Sequence, residues 1–377
     1  MPRPVDVLVV GAGFAGAVLA ERLAEAHGLH CLVLDRRDHP GGLAHDALDA
    51  SGVRVHAHGP HWFRTADPAV QAYLERFVPW RSVAYRILAR QGGRDWSFPP
   101  NLATLEQLVG RPATTEEFER WLAVQRVPCT EPRQAEEWAL AHLGRELYER
   151  FYRGYTRKQW GREPRELEPA VPARAPLRSD RDGRAFVEPF QALPEGGFAR
   201  LFERLLEHPR IELRLGAEWR AVRSTVRPRH LVWTGALDEY FGFRHGPLPY
   251  RSLRFERETI PQEWFQAAPQ VNYPGDEPWT RIVEPKHVTG PKPAGVTTVV
   301  REFPRERGPD DEPYYPLPTA GARALAARYA EDAATEHGVT FAGRLGTYRY
   351  LNMDQVTAEA LALAARLGPR LRAEGAG

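Results

Sequence analysis

Apolar and polar positions change period several times along the chain, and each change predicts an element. Residues 7–10 are a short β-branched run of the kind a parallel sheet buries on both faces. Helical spacing follows over 17–27, and a second apolar run, 30–34, ends on Asp35. Val53 and Val55 alternate with polar neighbours as in an exposed strand. Over 67–198 the spacing is mostly helical, interrupted by Pro-rich links such as Phe98-Pro99-Pro100-Asn101. Inside that block Leu140, Leu143, Leu147 and Phe151 form one apolar stripe on a run that begins at Glu136. Tyr148, Tyr152 and Tyr155 lie off the stripe. Residues 168–188 carry four arginines, Arg174, Arg178, Arg181 and Arg184, with little apolar content; such a segment predicts a mobile loop. Strands are predicted at 211–215, 230–234, 250–255, 271–273 and 296–302, with Trp279-Thr280-Arg281 and Pro313-Tyr314-Tyr315-Pro316 interrupting them. A helix over 322–337, a strand at 340–342 and a helix over 353–366 close the pattern.

The strand–helix–strand opening and the alternating later strands indicate an α/β protein. Its expected parts are a Rossmann-type FAD-binding domain, an inserted helical domain and an antiparallel β-sheet domain. The expected division is 1–66 with 199–240 and 320–377, then 67–198 as a helical substrate and lid unit with its mobile loop at 168–188, and 241–319 as the sheet. A chain of 377 residues is long for one core. The net charge of +2 balances many charges of both signs, so it points to neither nucleic acid nor membrane. Two cysteines, Cys31 and Cys129, make neither a disulfide framework nor a Cys-based metal site, which fits a reducing cytoplasm. The apolar N-terminus carries Asp6 and three glycines and reaches Glu21 too soon for a membrane span.

Five stretches carry chemistry. Gly11-Ala12-Gly13-Phe14-Ala15-Gly16 sits between a strand and a helix, and its glycines suit a tight turn, backbone approach to a pyrophosphate and close helix packing. Asp35 ends the next strand and suits a ribose hydroxyl, and the pair Gly41-Gly42 shortly after favours FAD over NAD. Gly59-Pro60-His61-Trp62-Phe63 is a rigid turn presenting one histidine; His56, His58 and His61 lack partners at metal-ligand spacing, so no metal is expected. Residues 151–161 crowd Tyr, Trp, Arg and Lys at a helix end, which suits a flat ring bearing an anionic group, such as a nucleotide. Arginines in 168–188 suit a lid over a diphosphate. The strand, Gly343-Arg344-Leu345-Gly346 and a following helix make another anion seat.

Along nearly its whole length the chain resembles the bacterial UDP-galactopyranose mutases. The resemblance rests on Gly11-Ala12-Gly13-Phe14, on Gly59-Pro60-His61, and on Gly154-Tyr155-Thr156 with Lys158-Gln159-Trp160-Gly161. It continues in Thr234-Gly235, Asp238-Glu239-Tyr240-Phe241, Tyr250-Arg251-Ser252-Leu253, Pro313-Tyr314-Tyr315-Pro316 and the run 343–350. It implies a flavin-dependent isomerase that interconverts the pyranose and furanose forms of a nucleotide-diphosphate sugar, UDP-galactose first among them. N5 of reduced FAD would attack the anomeric carbon and expel the diphosphate, through a flavin–sugar iminium adduct.

It also implies roles. Arg174 and Arg281 would face the diphosphate, His61 the isoalloxazine, and Asn272 both sugar and flavin. Phe151, Tyr155, Thr156, Trp160, Arg251, Tyr315, Tyr350 and Tyr85 would line the substrate. Gly11, Gly13, Phe14, Gly16, Asp35, Arg36, Gly42, Gly343, Arg344, Tyr350 and Asp354 would hold FAD. An external electron donor and a homodimer are implied as well. Several positions depart from the family. Ala185 stands where it has Tyr, Tyr85 near a pocket Asn, Leu43 after the double glycine in place of Asn, and Asn352 in its LDMD run. The alternatives are the same chemistry on another nucleotide sugar (deoxy, amino or on another base) and a flavin oxidoreductase of the amine-oxidase type, whose pocket would be apolar with few cations.

Overall fold

The computed structural model describes residues 3–174 and 177–374. Its first layer is a five-stranded, all-parallel sheet in the order Ile211–Arg214, Cys31–Leu34, Arg3–Val10, Val226–Trp233, Val339–Phe341. Alternation decides its faces. Val7 and Val9 pack with helices Phe14–His27 and Met353–Glu374, while Leu8 and Leu32 face Val226, Trp219 and Val222. The chain's end therefore returns to the sheet begun by its start.

The second layer is a seven-stranded sheet ordered Tyr315–Pro316, Tyr250–Ile260, Thr297–Glu306, Arg281–Val283, Gln270–Asn272, Ile87–Gln91, Arg94–Phe98. All its pairings are antiparallel except Gln270–Asn272 with Ile87–Gln91. Two expectations change here. The runs at 279–281 and 313–316 do not interrupt the sheet: Arg281–Val283 is a central strand and Tyr315–Pro316 pairs at its edge. The 67–198 block is less helical than its spacing suggests, because the hairpin Ile87–Gln91/Arg94–Phe98 joins this sheet and Phe190–Pro194 bridges Phe63–Thr65 and Trp80–Ser82. Cross-strand pairing overrides local periodicity in such short segments.

Helices Leu102–Val109 and Thr115–Gln125, each opened by a capping box, pack against Ala135–Leu147. That last helix is interrupted at Gly144 (φ 76°, ψ 168°), where an added Cβ would lie 2.5 Å from Gln125 Cβ. A π-helical turn, Tyr148–Arg153, then precedes Gly154–Trp160. The wider turn puts Tyr148 and Tyr152 into the same core as Leu143, Leu147 and Phe151, so the tyrosines do not leave the buried face.

Residues 177–188 are also more tightly held than their composition suggests. Arg178 bonds the carbonyls of Asp182, Arg184 and Phe186, Arg181 pairs with Glu106, and Ala185 is buried. The charges tether this segment to its own carbonyls and neighbouring acids, Arg178 from a largely covered position and Arg181 and Arg184 from the surface.

Candidate active site

Two cavities adjoin at the end of the parallel sheet. The first, about 1220 Å³ counting its mouth, lies over the Gly11–Gly13 turn and is lined by Asp35, Arg36, Gly42, Thr234, Gly343 and Arg344 among others. Backbone shape makes it. Gly11 has φ 106°, and a Cβ there would lie 2.0 Å from Thr234 Oγ1; a Cβ on Gly16 would lie 1.9 Å from the Gly11 carbonyl oxygen. Gly16 lies outside the lining and lets the helix approach the strand. Asp35 accepts from the Ala12 N–H (2.9 Å) and the Arg37 N–H (2.9 Å), which pins the turn to the second strand. Arg36 and Arg37 both pair with Glu312, closing the rim. A bare backbone turn at a helix start, an acid at strand end and a double-glycine approach fit the nucleotide and pyrophosphate of a dinucleotide cofactor.

The second cavity, about 1190 Å³ counting its mouth, shares Leu43, His61, Arg344 and Met353 with the first. Arg281, Tyr315, Tyr350, Asn352 and Asp354 line it. Arg281 donates to the Tyr155 hydroxyl at 2.6 Å and pairs with the buried Glu302 at 3.3 Å. Burial works against its charge, but Glu302 and the surrounding tyrosines outweigh that and hold it above the usual arginine range. Tyr315 and Tyr350 stack (5.4 Å, 11°), Trp160 backs both rings, and the Arg344 guanidinium lies 4.9 Å from the Tyr350 ring centroid.

His61 is half-buried and its pKa is pushed down to about 3, chiefly by desolvation. Its Nδ1 donates to the Gly59 carbonyl (2.9 Å), so the neutral ring keeps Nε2 as an acceptor. Behind it His56 Nδ1 accepts the His61 backbone N–H at 2.9 Å, which fixes the turn. Burial also raises the Asp354 carboxyl.

Several residues expected at the substrate stand one layer back. Phe151 is in the helical core against Trp96 and Phe98. Thr156 is buried and Tyr155 reaches the chamber through Arg281. Arg251 donates to the carbonyls of Gln159 and Lys158, a cation at a helix end. Tyr85 is fully buried behind Trp62, its hydroxyl on the Ala192 carbonyl, because a hydrophobic ring at this spot fills the core between two sheets. Asn272 meets the chamber through Gln270, whose Nε2 donates to it at 2.8 Å. Arg174 ends the short turn Pro172–Arg174, and its side chain lies outside the described residues, as do residues 175–176 of the expected lid.

Sequence reading missed four groups. Gln270 lies two residues before Asn272, on the same face of one strand, so period two could have found it. Arg64, bonded to Glu188 (3.0 Å) and 3.8 Å over the Phe186 ring, lies three residues past His61. Glu302 and the His58–Tyr314 bond (2.8 Å) join distant segments and left no local signal.

Sequence comparison with known proteins gives the family. A UDP-galactopyranose mutase family model matches residues 150–350, and an NAD(P)-binding Rossmann-like domain matches 9–77. A probable UDP-galactopyranose mutase of Klebsiella pneumoniae is 37% identical over 94% of this chain and 93% of its own length. A dTDP-fucopyranose mutase of Escherichia coli is 34% identical over 94% of this chain and 96% of its own. A crystal structure of reduced UDP-galactopyranose mutase superposes with a TM-score of 0.75 at 17% identity, covering 96% of this chain and 93% of that one, and shows the fold.

Proposed function

The chain belongs to the UDP-galactopyranose mutase family, and from that premise we propose that it interconverts the pyranose and furanose forms of a nucleotide-diphosphate sugar, with FAD in the first cavity. The observation that carries this reading is Arg281: a half-buried, permanently charged cation between Glu302 and the Tyr155 hydroxyl, in a chamber opening on the dinucleotide cavity. An oxidase chamber would be apolar where this one is cationic.

Bound and reduced, FAD supplies the nucleophile for the anomeric carbon. The chain's own residues do the rest. Arg281 and Arg344, with the hydroxyls of Tyr315 and Tyr350, meet the diphosphate oxygens as charge builds on them, and because these groups are fixed before the bond breaks no reorganisation opposes it. On the family resemblance, Arg174 is a further diphosphate cation in this reading. His61, neutral across the working pH range, offers an acceptor and no charge beside the flavin ring. Asn272 acts through Gln270. The reading also carries an external electron donor, a cytoplasmic location and a homodimer, the last checked by light scattering. No helix among the described residues is long and apolar enough to cross a membrane.

The test is turnover of UDP-galactofuranose and dTDP-fucofuranose with dithionite-reduced and with oxidised flavin, products resolved by chromatography. Isomerisation only with reduced flavin, without net flavin oxidation, is expected. Stoichiometric flavin reduction by a substrate would instead assign an oxidoreductase.

A further inference from the structure

The second cavity has two chemically different sides. One bears Arg281, Tyr315, Tyr350 and Arg344. The other is Trp62, Ile87, Phe98, Pro99, Ala185 and Phe186. The side chains of that wall hold one polar atom, the Trp62 indole N–H, and it is donated to Gln270 Oε1 at 3.3 Å. Gln270 in turn gives its amide to Asn272 at 2.8 Å. Tyr85, stacked behind Trp62 (5.2 Å, 27°), spends its hydroxyl on the Ala192 carbonyl at 2.9 Å. Ala185, held by its own N–H to the Tyr85 carbonyl at 2.7 Å, presents a methyl group. No side-chain donor among these residues is left for a sugar hydroxyl.

Resting on the mutase reading above, we propose that this wall receives the C6 end of the sugar and that the protein prefers a nucleotide-linked 6-deoxyhexose to its 6-hydroxy counterpart. Exchanging a six-membered for a five-membered ring remakes bonds at C1, O4 and O5, and these must lie toward the flavin cavity. The C2 and C3 hydroxyls need polar neighbours, which the chamber supplies in Gln270, Asn352, Asp354 and Arg64. C6 also takes no part in the exchange and, as a methyl group, needs no polar neighbour and packs against the apolar wall. A hydroxymethyl group would be stripped of water on a wall whose own side chains offer it no partner, with Arg64, laid over Phe186 and bonded to Glu188, taken up by the ring hydroxyls. An apolar pocket rejects an added hydroxyl by roughly a hundredfold at most, so a preference of about ten- to a hundredfold is expected.

The experiment crosses sugar with base on the full-length reduced flavoprotein: 6-deoxygalactose and galactose, each linked to UDP and to dTDP, with kcat and KM measured separately. The deoxy sugar should have a kcat/KM at least about tenfold higher on either base. Equal or better turnover of galactose on the same base overturns the proposal and leaves the mutase reading intact. Failure to isomerise any of the four overturns both. Ala185→Ser sets a hydroxyl on the wall, and in a variant that still binds flavin it should narrow the preference several-fold, mainly through the KM for galactose. An unchanged ratio in that variant means the wall does not face C6.

Discussion

The dinucleotide cavity and the chamber beside it are similar in size, about 1220 and 1190 Å³, but are made differently. The first is shaped by backbone: glycines that leave no room for a Cβ, one acid bonded to two peptide N–H groups, and a helix start. The second is shaped by side chains from separate strands and turns. Arg281 is set by Glu302 and Tyr155, His61 by Gly59 and His56, and Gln270 by Trp62 and Asn272. A backbone cradle tolerates little change and serves many enzymes alike. A side-chain chamber can change specificity one residue at a time while its scaffold stays.

The comparison breaks most sharply at Gly16. Gly16→Val should abolish flavin binding, since its Cβ meets a carbonyl oxygen at 1.9 Å and the collision costs about 3 kcal/mol or more. Flavin absorbance after gel filtration reads it, and a yellow, folded variant would deny that backbone shape makes the cradle. Next, Arg281→Ala should lower turnover roughly 10²- to 10³-fold while flavin stays bound. Loss of flavin instead would merge the two regions, and Arg174→Ala should behave in the same way as Arg281→Ala.

The pH response separates them further. His56, His58 and His61 are held near 3 by burial, against 6.5 when free. Below 6.5 the unfolded chain takes up protons that the folded one refuses, so stability is fully present above 6.5 and is lost as pH falls toward 3, by about 1.4 kcal/mol per unit for each histidine. Urea midpoints at several pH values should show this, and His56→Asn should flatten the slope. Smallest is Tyr155→Phe, which removes one bond to Arg281 and should slow turnover about fivefold, the worth of about 1 kcal/mol. A hundredfold loss would place Tyr155 at the substrate itself.

Legibility in the sequence follows the same division. The Gly11–Gly16 turn, Asp35 and the C-terminal return were readable because strand, turn and helix are consecutive and their spacing is local. The chamber was readable only in outline. His61, Arg281, Tyr315 and Tyr350 do meet there, but Phe151, Tyr85, Thr156 and Arg251 stand behind it. The helical periodicity over 136–151 promised a single stripe and hid the break at Gly144 and the π-helical turn. Composition made 168–188 a loose loop, yet Arg178 and Arg181 find partners that only folding brings near.

By itself, then, the sequence determined the parallel sheet, the dinucleotide cradle and the family, because those depend on contacts between residues close in the chain or on whole motifs. The tertiary structure decided which aromatic residues face the chamber and which fill the core. It also paired Arg281 with Glu302 and tied the Trp62 indole N–H of the opposite wall to Gln270. The reason is that burial and pairing across 21 to 208 residues of separation are set by how sheets and helices stack, and no local pattern records that.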